Sequence, residues 1–330
     1  MGRARRIAGA GAALVVLGAG VPALASPGDI ITIQDATLTA SGALATDEDR
    51  GLYWTANPQG NGGGSVHALN PDGSLAGEVR YDAAPSQVEG LAYFNGQLYV
   101  GDVGDPQLSR GAVTVYRLES LEFGSSVPYT QWTLFYPDGA HDSATMMVSP
   151  RGNIWIVTKG DPGGLYYVPA PAESGEYALE YVAEAPEWVT DGTFTGPATA
   201  VLRTYTSVLT YDMTLFAVLA QAAAPDQPEG ESLTSTLDGA AVLLGSKGVD
   251  QLVEVAVPTA MEALPVPPSI PPASVQQPTP EPSKTPTPTV APAPPSGPVA
   301  TKTLTALAIA ALISVGAGAL VYWRTRPGMR

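Results

Sequence analysis

The feature that most constrains this chain is a repeat. Between Asp29 and Pro258, short runs of β-branched and aromatic residues return every ~40–50 residues, each bounded by Gly, Pro, Asn or Asp. No stretch of that region keeps a helical period. The first unit, 38–82, holds Leu52-Tyr-Trp and Val66-His-Ala-Leu, and the second, 86–136, holds Leu91-Ala-Tyr, Leu98-Tyr-Val and Val113-Thr-Val-Tyr. The third, 139–185, holds Ile154-Trp-Ile-Val and Leu165-Tyr-Tyr-Val. The fourth, 188–222, holds Ala200-Val-Leu-Arg and Ser207-Val-Leu-Thr-Tyr, and the fifth, 228–258, holds Ala241-Val-Leu-Leu and Gln251-Leu-Val-Glu-Val. Turn signals at Pro71-Asp-Gly, Asn95-Gly and Pro137-Asp-Gly separate the runs. Repeats of this length with three or four short strands predict the blades of an all-β propeller. The count is five blades, or six if the first unit hides a boundary. The fifth unit is a strand short, while Ile30-Ile-Thr-Ile-Gln is a strand without a unit. Joining the two would close the ring and leave no long exposed edge. A pair of packed sheets shows the same alternation and stays open at this point.

Charge is placed as unevenly as the strands are placed evenly. All 31 acids and nine of the 16 bases lie within residues 26–300, which makes that stretch −22 in a chain of −15. Residues 1–25 read as a signal peptide, with Arg3, Arg5 and Arg6 before an apolar stretch and Ala23-Leu24-Ala25 as the cleavage pattern. The propeller is expected over 26–260. Residues 261–300, of which 14 are proline, predict a disordered Pro/Thr-rich stalk. Residues 301–323 include an uncharged run from Thr303 to Trp323, long enough for one transmembrane helix. Arg324, Arg326 and Arg330 in the tail, 324–330, then stay cytoplasmic and put the acidic middle outside the cell membrane. The acidic balance excludes non-specific nucleic-acid binding. The absence of cysteine excludes disulfides, Cys-ligated zinc and a thiol nucleophile.

Chemistry-bearing residues gather at the unit openings. Val88-Glu89-Gly90, Thr190-Asp191-Gly192 and Pro228-Glu229-Gly230 each place a carboxylate before glycine, and the third unit opens with His141-Asp142-Ser143. First strands of a propeller line the central channel and start on one face, so Glu89, Asp142, Asp191 and Glu229 are expected near one mouth. Second strands end on that face, where Asp102, Lys159, Arg203 and Lys247 lie, with Asn57 in the first unit. Clustered carboxylates raise one another's pKa unless cations compensate. Three arrangements fit. Glu89, Asp102, Asp142, Asp191 and Glu229 could ligate a Ca²⁺-type ion, which takes oxygen donors. An anionic ligand could instead sit on His141, Lys159, Arg203, Lys247 and Asn57. Salt bridges that fix blade register are the third. No complete catalytic constellation is present: Gly230-Glu-Ser-Leu lacks the final glycine of a nucleophile elbow.

The phrases "VEGLAYFNGQLYVGDVGD", "YPDGAHDSATMMV", "IVTKGDPGGLYYVPAP", "VTDGTF", "VLRTYTSVLTYD" and "PEGESL" resemble secreted propeller proteins of actinobacteria. Those are described as WD40-like or likened to phytase-type, esterase-like propellers. "GLYWTANPQGNGGGSVHALNPDGS" is similar to a blade of lactonase-type propellers that bind Ca²⁺ through a glutamate at the mouth. The resemblance implies such an acidic residue at Glu89 and Glu229. The chain departs from the pattern at Pro106, where Asn is usual, and at Ala144, where a Glu is usual. The expectation is a membrane-anchored, extracellular binding module for a protein, a glycan or a small anionic ligand. A calcium-dependent hydrolase of esterase, lactonase or phytase type is the alternative.

Overall fold

A computed structural model describes residues 28–38, 42–56 and 63–264. The expected signal peptide, transmembrane helix and cytoplasmic tail lie outside the described residues, as does all of the stalk beyond its first four residues. The described residues contain no helix, and hence none long and apolar enough to cross a membrane. They form five sheets. The first blade orders β2 (Ala43–Asp47), β3 (Leu52–Ala56), β4 (Gly64–Leu69) and β5 (Leu75–Tyr81) from the inside outward. The second orders β6 (Val88–Phe94), β7 (Gln97–Asp102), β8 (Val113–Leu118) and β10 (Tyr129–Phe135). The third runs β11 (Ser143–Val148), β12 (Ile154–Thr158), β13 (Gly163–Val168) and β15 (Glu180–Ala185). The fourth is β16 (Val189–Phe194), β17 (Thr199–Thr204), β18 (Ser207–Asp212) and β19 (Ala217–Ala223). The fifth is β20 (Gly230–Ser235), β21 (Ala241–Ser246), β22 (Gln251–Ala256) and, as its outer strand, β1 (Ile30–Thr32).

The orphan N-terminal strand therefore completes the unit that was one strand short. Ile30, Ile31 and Thr32 pair antiparallel with Val253, Leu252 and Gln251. Each inner strand touches the next around the circle, and β2 touches both β6 and β20, so the ring is closed. That closure excludes the packed-sheet alternative, and the count is five blades.

Apolar alternation on two-faced sheets explains the stability of the ring. Each blade–blade interface holds its own apolar cluster. Trp54, Tyr81 and Leu98 lie between the first and second blades, and Trp132, Met146 and Tyr166 between the second and third. Leu202 and Tyr211 help to fill the next interface, Val208 and Leu244 the next, and Leu44, Leu69 and Leu252 the last. One buried aromatic such as Trp54 gains about 4–6 kcal/mol gross from apolar burial. Inner strands approach closely enough to need glycine: a Cβ on Gly90 would stand 2.6 Å from the Met146 Cβ. The β6–β7 hairpin uses Asn95 and Gly96 at φ 51° and 79°, which suits the right-handed twist of paired strands.

Neighbouring blades are also stitched at their rims. The short β9 (Ser126–Val127), from the second blade's outer connection, pairs parallel with β5 of the first. β14 (Gly175–Ala178), from the third, pairs parallel with β10 of the second. Met261 forms the same kind of bridge to Gln221 in β19 of the fourth. Each of these additions covers an outer edge that would otherwise offer unpaired backbone groups.

Candidate functional site

Four of the inner strands begin with a β-bulge, and the bulges set which side chains face the channel mouth. The pairs before each bulge are Val88 with Asp102, Ser143 with Thr158, Val189 with Thr204 and Gly230 with Ser246. The extra, unpaired residue is then Glu89, Ala144, Thr190 or Glu231 on the second to fifth blades. A bulge re-aims the side chain it carries. Directly after the second strand, the equivalent positions are Val103, Lys159, Tyr205 and Lys247. Two residues before each bulge stand Gln87, Asp142, Trp188 and Glu229.

Glu89, Glu231, Lys159 and Lys247 meet as a quartet drawn from three blades. The Lys159 Nζ lies 4.0 Å from Glu231 Oε1, and the Lys247 Nζ lies 3.9 Å from Glu231 Oε2. Both separations exceed a hydrogen bond. Glu89 is 2% exposed, and its Oε1 accepts the Gln87 amide at 2.8 Å. The Oε2 atoms of Glu89 and of Glu231 have no hydrogen-bond partner, and the same holds for Thr145 Oγ1 and Thr190 Oγ1 on the strands between them. Burial pushes the Glu89 carboxyl up to about 7, and the charge of Glu231 adds to this. Gln87 and the two lysines oppose the rise. For Lys159, burial works against the charge, but Tyr205, Glu89, Glu231 and Asp142 outweigh it and hold the ammonium above its ordinary value.

The other residues singled out from the sequence lie elsewhere or are already engaged. Asp191 and Arg203 face each other across β16 and β17 and are fully buried. Asp191 accepts the N–H groups of Gly192 (2.8 Å) and Leu233 (2.7 Å). Arg203 donates to the carbonyls of Ser232 (2.9 Å) and Gly245 (2.6 Å) and to Gln227 Oε1 (2.5 Å). The pair thus sews the fourth blade to the fifth, and Arg203 turns into that interface rather than toward the mouth. Burial drives Asp191 well above the usual carboxylate range and Arg203 down to about 10, each opposed by the other's charge.

Asp102 is saturated as well. It accepts the Gln87 N–H at 2.8 Å and the Ser86 N–H at 3.1 Å, and it takes both Arg110 Nη atoms at 2.9 and 3.1 Å. Asp142 Oδ1 accepts the Asp105 N–H at 2.8 Å. Its carbonyl accepts the Lys159 N–H at 2.8 Å, which fixes the start of the lysine's turn. Glu229 is exposed, and only its backbone is anchored, by the Ser246 hydroxyl at 3.0 Å. His141 sits in a side cluster: its Nε2 lies 3.0 Å from Asp138 Oδ1 and 2.9 Å from the Tyr166 hydroxyl, with Tyr136 edge-on to the ring. None of those bonds reaches the quartet. Asn57 lies outside the described residues.

The five carboxylates considered as calcium ligands therefore occupy four different strand positions, with Asp142 and Glu229 the one equivalent pair. Among the described residues, no three His, Asp or Glu side chains come together as a metal site. Sequence reasoning missed Glu231, Tyr205 and Trp188. The Glu229-Gly230-Glu231 run offers two carboxylates, and only the bulge decides that the second one faces the mouth. At the opposite end of the channel, where the inner strands finish, lies a cavity of about 90 Å³. It is lined by Thr46, Tyr93, Val148, Phe194 and Ser235 among others, and Glu48 is the only charged residue around it. Void and charge thus sit at opposite ends. No known family profile matches the chain, and no curated protein is similar to it.

Proposed function

We propose that the propeller is a binding module that takes a small anionic ligand at the mouth formed by Glu89, Lys159, Glu231 and Lys247. The signal-peptide and transmembrane patterns in the sequence support its display outside the cell membrane on the Pro-rich stalk. One observation carries the reading: two lysines are held beside a carboxylate at 3.9–4.0 Å, without a direct hydrogen bond, around buried carboxylate oxygens that lack partners. A register-fixing salt bridge would close to hydrogen-bond contact, because burying charge without such contact is costly. A ligand oxygen between the ammonium groups would complete both. The calcium-dependent hydrolase has less support, because among the described residues no three His, Asp or Glu side chains come together as a metal site.

Protonation of Glu89 adjusts the charge of the mouth. Below neutral pH its raised pKa keeps it mostly neutral, so two lysines face one carboxylate and the quartet carries +1. Above neutral pH Glu89 ionises and the quartet becomes neutral. Anion affinity should therefore rise as pH falls from 8 to 6. Calorimetric titration of the full chain in detergent with acetate and with sulfate, whose charges stay constant over that range, tests this. Binding that strengthens toward pH 6 and disappears in Lys159→Ala/Lys247→Ala is the expected result. Binding that is insensitive to both lysines overturns the reading.

A further inference from the structure

The fourth blade breaks the charged pattern of the mouth. Where the third and fifth blades place Lys159 and Lys247 after the second strand, the fourth places Tyr205, 43% exposed. Where they place Asp142 and Glu229 before the first strand, it places Trp188, 49% exposed. Lys159 comes from the third blade and reaches Glu231 on the fifth, so the blade that lies between the two partners presents two large exposed aromatics. Trp188 adopts φ 51°, a left-handed conformation that bulky residues rarely take. Its N–H is held there by the Gly160 carbonyl at 2.9 Å, in the same turn as Lys159. A strained backbone that keeps an indole in solvent is a feature of ligand-contacting sites. Tyr205 stands first among the groups that hold the Lys159 ammonium above its ordinary value against the effect of burial.

Adjoining turns of one face thus carry three chemistries: two ammonium groups, carboxylate oxygens without donors, and exposed aromatic side chains. We infer that the ligand is an acidic sugar, a uronate ring whose carboxylate meets Lys159 and Lys247. Its hydroxyls donate to Glu89 and Glu231, and its apolar C–H face covers Trp188 and Tyr205. This rests on the anion-binding reading above and narrows it. A flat aromatic acid would use the lysines and the rings but leave the buried carboxylate oxygens without donors, a strong penalty in a site built to accept hydrogen bonds. A small amino acid would satisfy both charge types and leave the rings uncovered. A neutral sugar would leave the lysines unanswered.

The test is calorimetric titration of the full chain in detergent at pH 6 with D-glucuronate, D-glucose and acetate. Glucuronate should bind at least about tenfold more tightly than either control, a ratio within reach of one good apolar contact plus added hydrogen bonds. Trp188→Ala should cost glucuronate about tenfold and leave acetate unchanged. Tyr205→Ala gives the same readout should the Trp188 variant fail to fold. Glucuronate binding no tighter than acetate, or unaffected by both aromatic variants, overturns the acidic-sugar inference while lysine-dependent acetate binding preserves the broader reading. If neither anion binds, both fall.

Discussion

The Asp191–Arg203 pair and the Glu89–Glu231–Lys159–Lys247 quartet use the same kinds of side chain in the same part of the ring, and both include buried charges. They differ in how far their hydrogen bonds are completed. Both Asp191 oxygens receive backbone N–H groups, and the Arg203 Nη atoms reach two carbonyls and an amide oxygen, so the protein itself answers all of these groups except the Arg203 Nε. In the quartet the closest approaches stay at 3.9–4.0 Å, and two carboxylate oxygens go without a donor. A buried polar group that the fold leaves unanswered costs stability, and such costs persist where a ligand supplies the missing partner. The hydrogen bonds that the protein supplies to both Asp191 oxygens and both Arg203 Nη atoms, rather than the presence of opposite charge, separate the structural pair from the candidate site.

The largest effect that would sharpen this contrast is on the closed pair. Arg203→Ala leaves the Ser232 and Gly245 carbonyls and the Gln227 amide oxygen without their donor and Asp191 without its opposing charge, a loss of about 3–5 kcal/mol. Thermal melting should fall by roughly 10 °C for a ring of this size. A fall of only a degree or two would mean that the pair does not hold the fourth and fifth blades together.

A smaller and opposite effect belongs to the quartet. The folded-state pKa of Glu89 is raised, so its stabilising contribution is complete below the unfolded value of 4.5 and is lost as pH rises toward about 7. The loss amounts to about 3 kcal/mol at most. Glu89→Gln removes it. The variant should melt above the native protein at pH 8, and the advantage should shrink toward pH 5. Melting curves at the two pH values check the sign, and an advantage that grows toward acid pH would refute the burial of an unanswered carboxyl.

Much of the ring was legible in the sequence because a strand pattern bounded by turns survives small errors of register. Unit boundaries at 38–82 and 188–222 match the strands found, and the orphan strand Ile30-Ile-Thr paired where the fifth unit lacked one. The mouth was less legible because side-chain direction alternates with every residue and a bulge reverses it. Glu89 and Lys159 come within electrostatic reach of each other, but Asp191 lies one residue past its bulge and Glu229 two residues before. A carboxylate followed by glycine thus described three unlike positions. Arg203 fell to the same error, since it precedes the strand end that Lys159 and Lys247 follow. Trp188 and Tyr205 carried no signal beyond being aromatic residues at turns.

The claim that the quartet is a site and not a clasp is tested most directly by removing its charges all at once. The variant Glu89→Gln/Lys159→Met/Glu231→Gln/Lys247→Met keeps side-chain size and discards every charge, and its melting temperature at pH 7.5 is the measurement. A site held open for a ligand predicts melting at or above that of the native protein, since no completed hydrogen bond between the four is lost and unanswered charge is removed from the interior. Melting several degrees lower would show that the four charges clasp the ring, and would contradict the account.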